Sequence, residues 1–227
     1  MKNFSLMPQL PLFAGIEEKD IASLVKCLGA YRKSYAKGQL ILCAGDWVQE
    51  IGIVLRGAIQ QVNDDAFGNR SIIGRVGPGG MFGEGFSCAG EERLPFSVEA
   101  AGDCEILFVN YRRMTTTCPS ACVFHNRLVE NMMLILARTN VQLTEKIRHI
   151  SKRSTRDKLL SYLAGEAQKA GSNEFTIPFS RQELADYLCV ERSAMSAEIS
   201  RLRQAGILDT RRSHFKLLAE HHELDVH

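Results

Sequence analysis

Apolar residues along this chain change their spacing twice, and each change predicts a different kind of element. After Pro11-Leu12-Phe13, the residues Ile21, Leu24, Val25 and Leu28 recur at three- and four-residue steps, which predicts a short helix. The pattern then breaks into short β-type runs at 39–43, 51–55, 58–62, 71–76, 97–101 and 105–109. Turn residues punctuate them: Ala44-Gly45-Asp46, Arg56-Gly57, Asp64 to Gly68 and Gly77-Pro78-Gly79-Gly80. Many short strands at this spacing predict a β sandwich, for which the double-sheet jelly roll is a natural closure.

From 120 to 150 there is neither proline nor glycine, and helical spacing returns. Val129, Leu136, Leu143 and Ile150 lie seven apart, with Met132 at the intervening step and the polar Thr139 and Lys146 at the next two. That seam predicts pairing with the same helix of a second subunit through Val129, Met132, Leu136, Leu143 and Ile150. The face around Leu128, Met133 and Ile135 is expected to pack on the chain's own β domain. Thr139 and Asn140 place polar groups near the seam, where fixing register and meeting a ligand are both open roles.

A further helix is expected over 154–170, then a short strand over 175–178. Ser180 and Glu183 form a capping-box pair at the start of the next helix, which Leu184, Ala185 and Leu188 turn inward. After the tight Cys189-Val190-Glu191 connection, Met195, Ile199 and Leu202 supply the core face of a second helix. Its other face carries Arg192, Ser193, Ser196, Ala197 and Ser200, small and hydrogen-bonding groups suited to a major groove. Arg192 can fork onto guanine, and Ser193 or Ser196 can meet a base or phosphate. Arg181 and Gln182 are placed to hold the phosphate backbone. Arg201 and Arg203 read equally as backbone contacts and as solvated positions. Beyond Gly206, two short strands with Arg211-Arg212-Ser213 at their turn make a wing with a basic tip.

Charge separates the same two parts. Residues 1–144 hold 14 Lys/Arg and 14 Asp/Glu, whereas 145–218 hold 14 and 9, and 219–227 hold none and three. The late positive excess puts any anionic partner on the C-terminal part. The implied domains are a jelly-roll effector domain over 1–118, a dimerisation helix over 119–151, a winged helix-turn-helix over 152–218 and an acidic tail over 219–227. The fold class is α+β. No apolar run reaches membrane-spanning length, the first residues lack the basic, apolar and small-residue pattern expected of a secretory signal, and seven cysteines without a framework suit a reducing cytoplasm. All six histidines lie at or after His125, so the β domain has none for a metal or haem, and no clustered carboxylates replace them. No catalytic residue, metal site or certain cofactor is assigned, and an enzyme is not expected.

The glycine-dense stretch 77–86 lacks the βαβ surroundings of a dinucleotide fingerprint. Turn geometry and a close backbone approach to an anion both remain open for it. Its one acid, Glu84, can accept from a ligand hydroxyl or pair with a neighbouring strand.

The order of parts resembles the Crp/Fnr superfamily of bacterial transcription regulators over nearly the whole chain. The marks are 10–16 (LPLFAGI), 37–46 (KGQLILCAGD), 54–62 (VLRGAIQQV), 77–84 (GPGGMFGE) and the helix-turn-helix. The resemblance implies a homodimer with a cyclic-nucleotide-binding-type jelly roll that answers to a small effector. It also implies an inverted-repeat operator in double-stranded DNA and recruitment or blocking of RNA polymerase. Phe82, Gly83 and Glu84 match the family's phosphate cassette. Where cyclic-AMP-binding members carry an Arg-Ser/Thr-Ala step, this chain has Arg93-Leu94-Pro95-Phe96. An unpaired phosphate is costly to desolvate, so an effector less polar than cyclic AMP fits Leu94 and Phe96 better. Oxygen-sensing relatives carry an N-terminal cysteine cluster, absent here, while Cys118 and Cys122 leave a redox switch open as an alternative. A nucleotide-binding module without DNA is the other alternative, and it leaves 179–218 unexplained. Ser193 and Ala197 replace the glutamate and arginine usual on the family's recognition helix, so its usual operators are not expected.

Overall fold

The computed structural model describes residues 7–90, 93–115 and 123–218. The chain divides into two compact units, the first ending at Val141 and the second starting at Gln142, with Asn69–Ile72 grouped with the second. Two 3₁₀ turns, Met7–Gln9 and Pro11–Phe13, lead into α1 (Glu18–Cys27). Strands β1 (Tyr31–Tyr35), β2 (Leu40–Leu42), β3 (Glu50–Arg56), β4 (Ile59–Asp64), β5 (Arg70–Val76) and β6 (Met81–Phe82) follow. Then come α2 (Glu84–Ala89), β7 (Ser97–Ala100), β8 (Cys104–Asn110), α3 (Tyr111–Thr115) and the long α4 (Val123–Ile150). The second unit adds α5 (Thr155–Ala170), β9 (Glu174–Thr176), α6 (Arg181–Leu188), α7 (Arg192–Gln204), β10 (Leu208–Arg211) and β11 (His214–Leu217).

The first eight strands form two four-stranded sheets in the orders β1-β8-β3-β6 and β2-β7-β4-β5, the expected β sandwich. The pleat divides the apolar residues of β3 and β8 between two cores, because successive side chains leave a strand on opposite faces. Ile51, Ile53, Leu55, Leu107 and Val109 pack with Leu12, Phe13, Leu24, Leu128 and Met132 beneath the helices. Val54, Ile106 and Phe108 join Ile59, Phe82, Leu94 and Val98 in the other core. Gly52 has to be glycine: a Cβ there would sit 2.1 Å from the ring of Phe82. The Phe82 ring is fully buried, which contributes about 1.5–3 kcal/mol of transfer free energy. Strand β1, with one buried residue in five, and the helix α2 carry no apolar period and were not legible in the sequence.

The face of α4 differs from the expected seam. Met132 is only 6% exposed and sits in the first unit's own core beside Leu128 and Ile135, with Leu136 packed against it. Asn131 fixes this orientation, donating from Nδ2 to the carbonyls of Leu12 and Ala14 at 2.9 Å each. Val129 and Ile150 are half-buried; of the five expected seam residues, Leu143 alone is exposed. Met133, expected inside, is 64% exposed, and Leu134, Val141 and, in the second unit, Ile147 share that exposure. The reason is local: 128, 129 and 132–136 are all apolar, so spacing alone cannot choose which stripe turns inward.

The second unit packs α5, α6 and α7 with the sheet β10-β11-β9 around Leu159, Leu163, Leu184, Leu188, Met195, Leu202 and Phe215. The last turns of α4 belong to it. His149 is bonded to Ser161 Oγ at 2.8 Å and meets Tyr162 edge-on, and Glu145 pairs with Lys169 at 2.9 Å. Cys118 and Cys122, and the acidic tail over 219–227, lie outside the described residues. Among the described residues no helix is long and apolar enough to cross a membrane, and no cluster of three His, Cys, Asp or Glu is placed to hold a metal ion.

Candidate nucleic-acid interface and effector site

The helix-turn-helix is built by local signals. Ser180 Oγ accepts from the Glu183 N–H at 3.3 Å, and the Glu183 carboxylate accepts from the Ser180 N–H at 2.7 Å, completing the capping box. Helix α6 ends on Cys189, whose left-handed backbone (φ 52°) turns the chain sharply into α7. Met195, Ile199 and Leu202 are buried, leaving Arg192, Ser193, Ser196, Ala197 and Ser200 on the exposed face as spacing predicts. Ser200 Oγ already donates to the Ser196 carbonyl at 3.1 Å, so toward a nucleic acid it offers acceptor capacity first.

Some basic side chains are committed to acids, and others are exposed. Arg201 pairs with the buried Glu198 at 3.0 Å, Arg156 approaches the same carboxylate at 3.4 Å, and Arg203 pairs with Asp209 at 3.2 Å. Arg192 is exposed at the start of α7, and Arg211 and Arg212 are exposed at the wing tip, the latter in the left-handed region (φ 57°). Gln182 donates to Asp186 at 2.7 Å. Arg181 turns toward the wing: Nη2 donates to Thr210 Oγ1 at 2.7 Å, and the guanidinium lies 4.6 Å from the centroid of Phe215. Burial, then the charge of Arg203, lowers its pKa.

Within the same unit, Lys146 lies 4.5 Å from the centroid of Tyr187, which stacks on Phe179 at 4.9 Å. Burial pushes the Lys146 ammonium down to about 8, and burial with the charges of Arg148 and Lys169 pushes His149 down to about 4. No sequence signal pointed to these polar groups, because their neighbours come from α5 and α6.

In the first unit, Phe82 and Leu94 lie in the core between the sheets, and Phe96 meets Phe86 edge-on at 5.5 Å. Gly83 sits at φ 80° and starts α2 on Glu84. Glu84 is 6% exposed, its Oε2 has no hydrogen-bond partner among the described residues, and burial raises its pKa. Arg93 does not join it. Its guanidinium donates to the Gly45 carbonyl at 2.9 Å and lies over the ring of Trp47. Among the described residues of this unit no Lys or Arg is buried. Thr139 is half-buried and Asn140 exposed, both on α4.

Residues 32–119 match the cyclic nucleotide-binding domain family, and 157–222 match the Crp-like helix-turn-helix domain family. Electron transport regulator A of Shewanella oneidensis is 21% identical over 86% of this chain and 77% of its own. The nitrogen fixation regulation protein FixK of Bradyrhizobium diazoefficiens is 25% identical over 78% of this chain and 73% of its own. Among solved structures, FixK2 from Bradyrhizobium japonicum matches with a TM-score of 0.67 at 19% identity, covering 87% of this chain and 98% of that one. The c-di-GMP responsive global regulator CLP of Xanthomonas campestris matches with a TM-score of 0.71 at 17% identity, covering 90% and 100%. These structural likenesses concern the fold.

Proposed function

This chain belongs to the Crp/Fnr family of transcription regulators, which are not enzymes, and from that premise we propose that it is a homodimeric cytoplasmic regulator reading an inverted-repeat operator. The observation that carries the reading is the surface of the second unit. Arg192, Ser193, Ser196, Ala197 and Ser200 stand exposed on one face of α7, and the exposed Arg211 and Arg212 mark the wing tip. Arg192 reads a base edge, the serines meet bases or phosphates, and the wing tip holds the adjacent backbone. Bound there, the dimer recruits or blocks RNA polymerase.

The second subunit docks on α4 through the exposed apolar residues of the first unit, Met133, Leu134 and Val141. A small effector, less polar than cyclic AMP, acts through the jelly roll at Phe82, Gly83, Glu84, Leu94 and Phe96, where the orphaned Glu84 oxygen supports one hydrogen-bond donor on the ligand. Thr139 and Asn140 serve the dimer helix or that ligand.

Selection of bound duplexes from a random pool tests the reading. A two-fold symmetric consensus is expected, with affinity falling steeply as salt rises. Recovery of no symmetric sequence would remove operator recognition.

A further inference from the structure

Arg181 opens α6 at the place where a basic residue is expected to hold the phosphate backbone, yet its side chain is spent on the wing. Nη2 donates to Thr210 Oγ1 at 2.7 Å, and that hydroxyl donates onward to the His214 carbonyl at 2.7 Å. The guanidinium plane lies over Phe215, a fully buried ring stacked on Phe175. Thr210 and Phe215 are paired across the β10–β11 hairpin, so one guanidinium grips both strands. Its Nη1 is buried with no hydrogen-bond partner among the described residues, which costs free energy that the stacking and the Thr210 bond must offset. Arg211 and Arg212, the two residues that follow Thr210, lie at the turn of the hairpin.

We propose that Arg181 is a positioning residue, which docks the β10–β11 wing on the helix-turn-helix and so places Arg211 and Arg212 against DNA, and is not itself a phosphate contact. This rests on the DNA-binding reading. The planar fork is what the seat requires, since a lysine ammonium neither stacks on Phe215 in this way nor reaches Thr210 in the same geometry.

The full-length protein and a duplex from the random-pool selection provide the test. Arg181→Gln is expected to weaken binding about tenfold. It should add nothing further in a protein already carrying Arg211→Ala and Arg212→Ala, because both changes remove the same wing contacts. Arg181→Lys should fail like Arg181→Gln, and Thr210→Val should shift affinity in the same direction. A direct phosphate contact predicts the opposite: effects that add, a salt slope reduced by about 0.9 on top of the wing variant, and substantial rescue by lysine. That result overturns the proposal, as does a lowered melting temperature with unchanged affinity per folded molecule. Hydrogen exchange in the free protein separates this from failure of the DNA-binding reading. Faster exchange of the β10–β11 amides in Arg181→Gln, with α7 unchanged, supports the docking whether or not an operator is found, and unchanged exchange overturns it.

Discussion

The guanidinium of Arg93 lies 5.1 Å from the ring centroid of Trp47, and a backbone bridge between the same two residues holds it there. The pairing sets the direction of the whole segment. The next residue, Leu94, exchanges backbone hydrogen bonds with Gly45 and Asp46 and points its side chain into the core between the sheets. Arginine outward and leucine inward is one decision of strand geometry.

Cyclic AMP is therefore expected to give no saturable heat in calorimetric titration, and micromolar binding would contradict the reading. Trp47 is the single tryptophan, so its emission reports the pair directly. Arg93→Ala should change that emission, whereas added cyclic AMP should leave it as it is.

Glu84 makes a separate prediction about stability. Burial raises its pKa, so the folded state holds the proton more tightly than the unfolded chain. The associated stability is present at low pH and is lost as pH rises through the folded pKa. Glu84→Gln should raise the unfolding free energy at pH 7 by about 1 kcal/mol and flatten that part of the profile. Equal melting temperatures for the two proteins at pH 7 would show the carboxylate to be satisfied.

His149 behaves in the opposite sense. Its folded pKa, about 4, lies below its ordinary 6.5 because burial and the charges of Arg148 and Lys169 outweigh Glu145. Between those values the unfolded chain binds the extra proton, so stability is full above pH 6.5 and declines as pH falls toward 4. Glu145, held low by Lys169, adds its loss only below the ordinary carboxylate range. His149→Gln should remove the decline between pH 6.5 and 5, measured by denaturant midpoints; an unchanged slope there would assign the loss to other groups.

On α4, association and folding should separate. Met133→Glu or Val141→Glu should shift the sedimentation profile toward monomer while leaving the fold intact. Met132→Ala should cost about 2–5 kcal/mol of stability with association preserved. Dissociation by Met132→Ala alone would restore the originally expected seam.

Cys189 occupies a left-handed helix end without being glycine. Cys189→Gly should stabilise the reduced protein by about 1 kcal/mol, and Cys189→Val should destabilise it by at least as much. Equal denaturation midpoints for all three would mean the turn is unstrained.

The helix-turn-helix was legible in the residues themselves because its determinants are near neighbours. Ser180 and Glu183 cap one helix, and Met195, Ile199 and Leu202 set the inward face of the next, three and four residues apart. The central strands were legible for the same reason, while β1 was missed because a strand with one buried residue carries no alternation. Only the tertiary structure decided which stripe of α4 faces its own domain, since an almost wholly apolar stretch fits either phase until Asn131 meets the carbonyls of Leu12 and Ala14. It also decided the fates of Arg93 and Arg181, whose partners lie 48 and 29 residues away in Gly45 and Thr210. A basic residue in a sequence declares a charge, but whether that charge reaches a phosphate depends on what the folded chain has already placed against it.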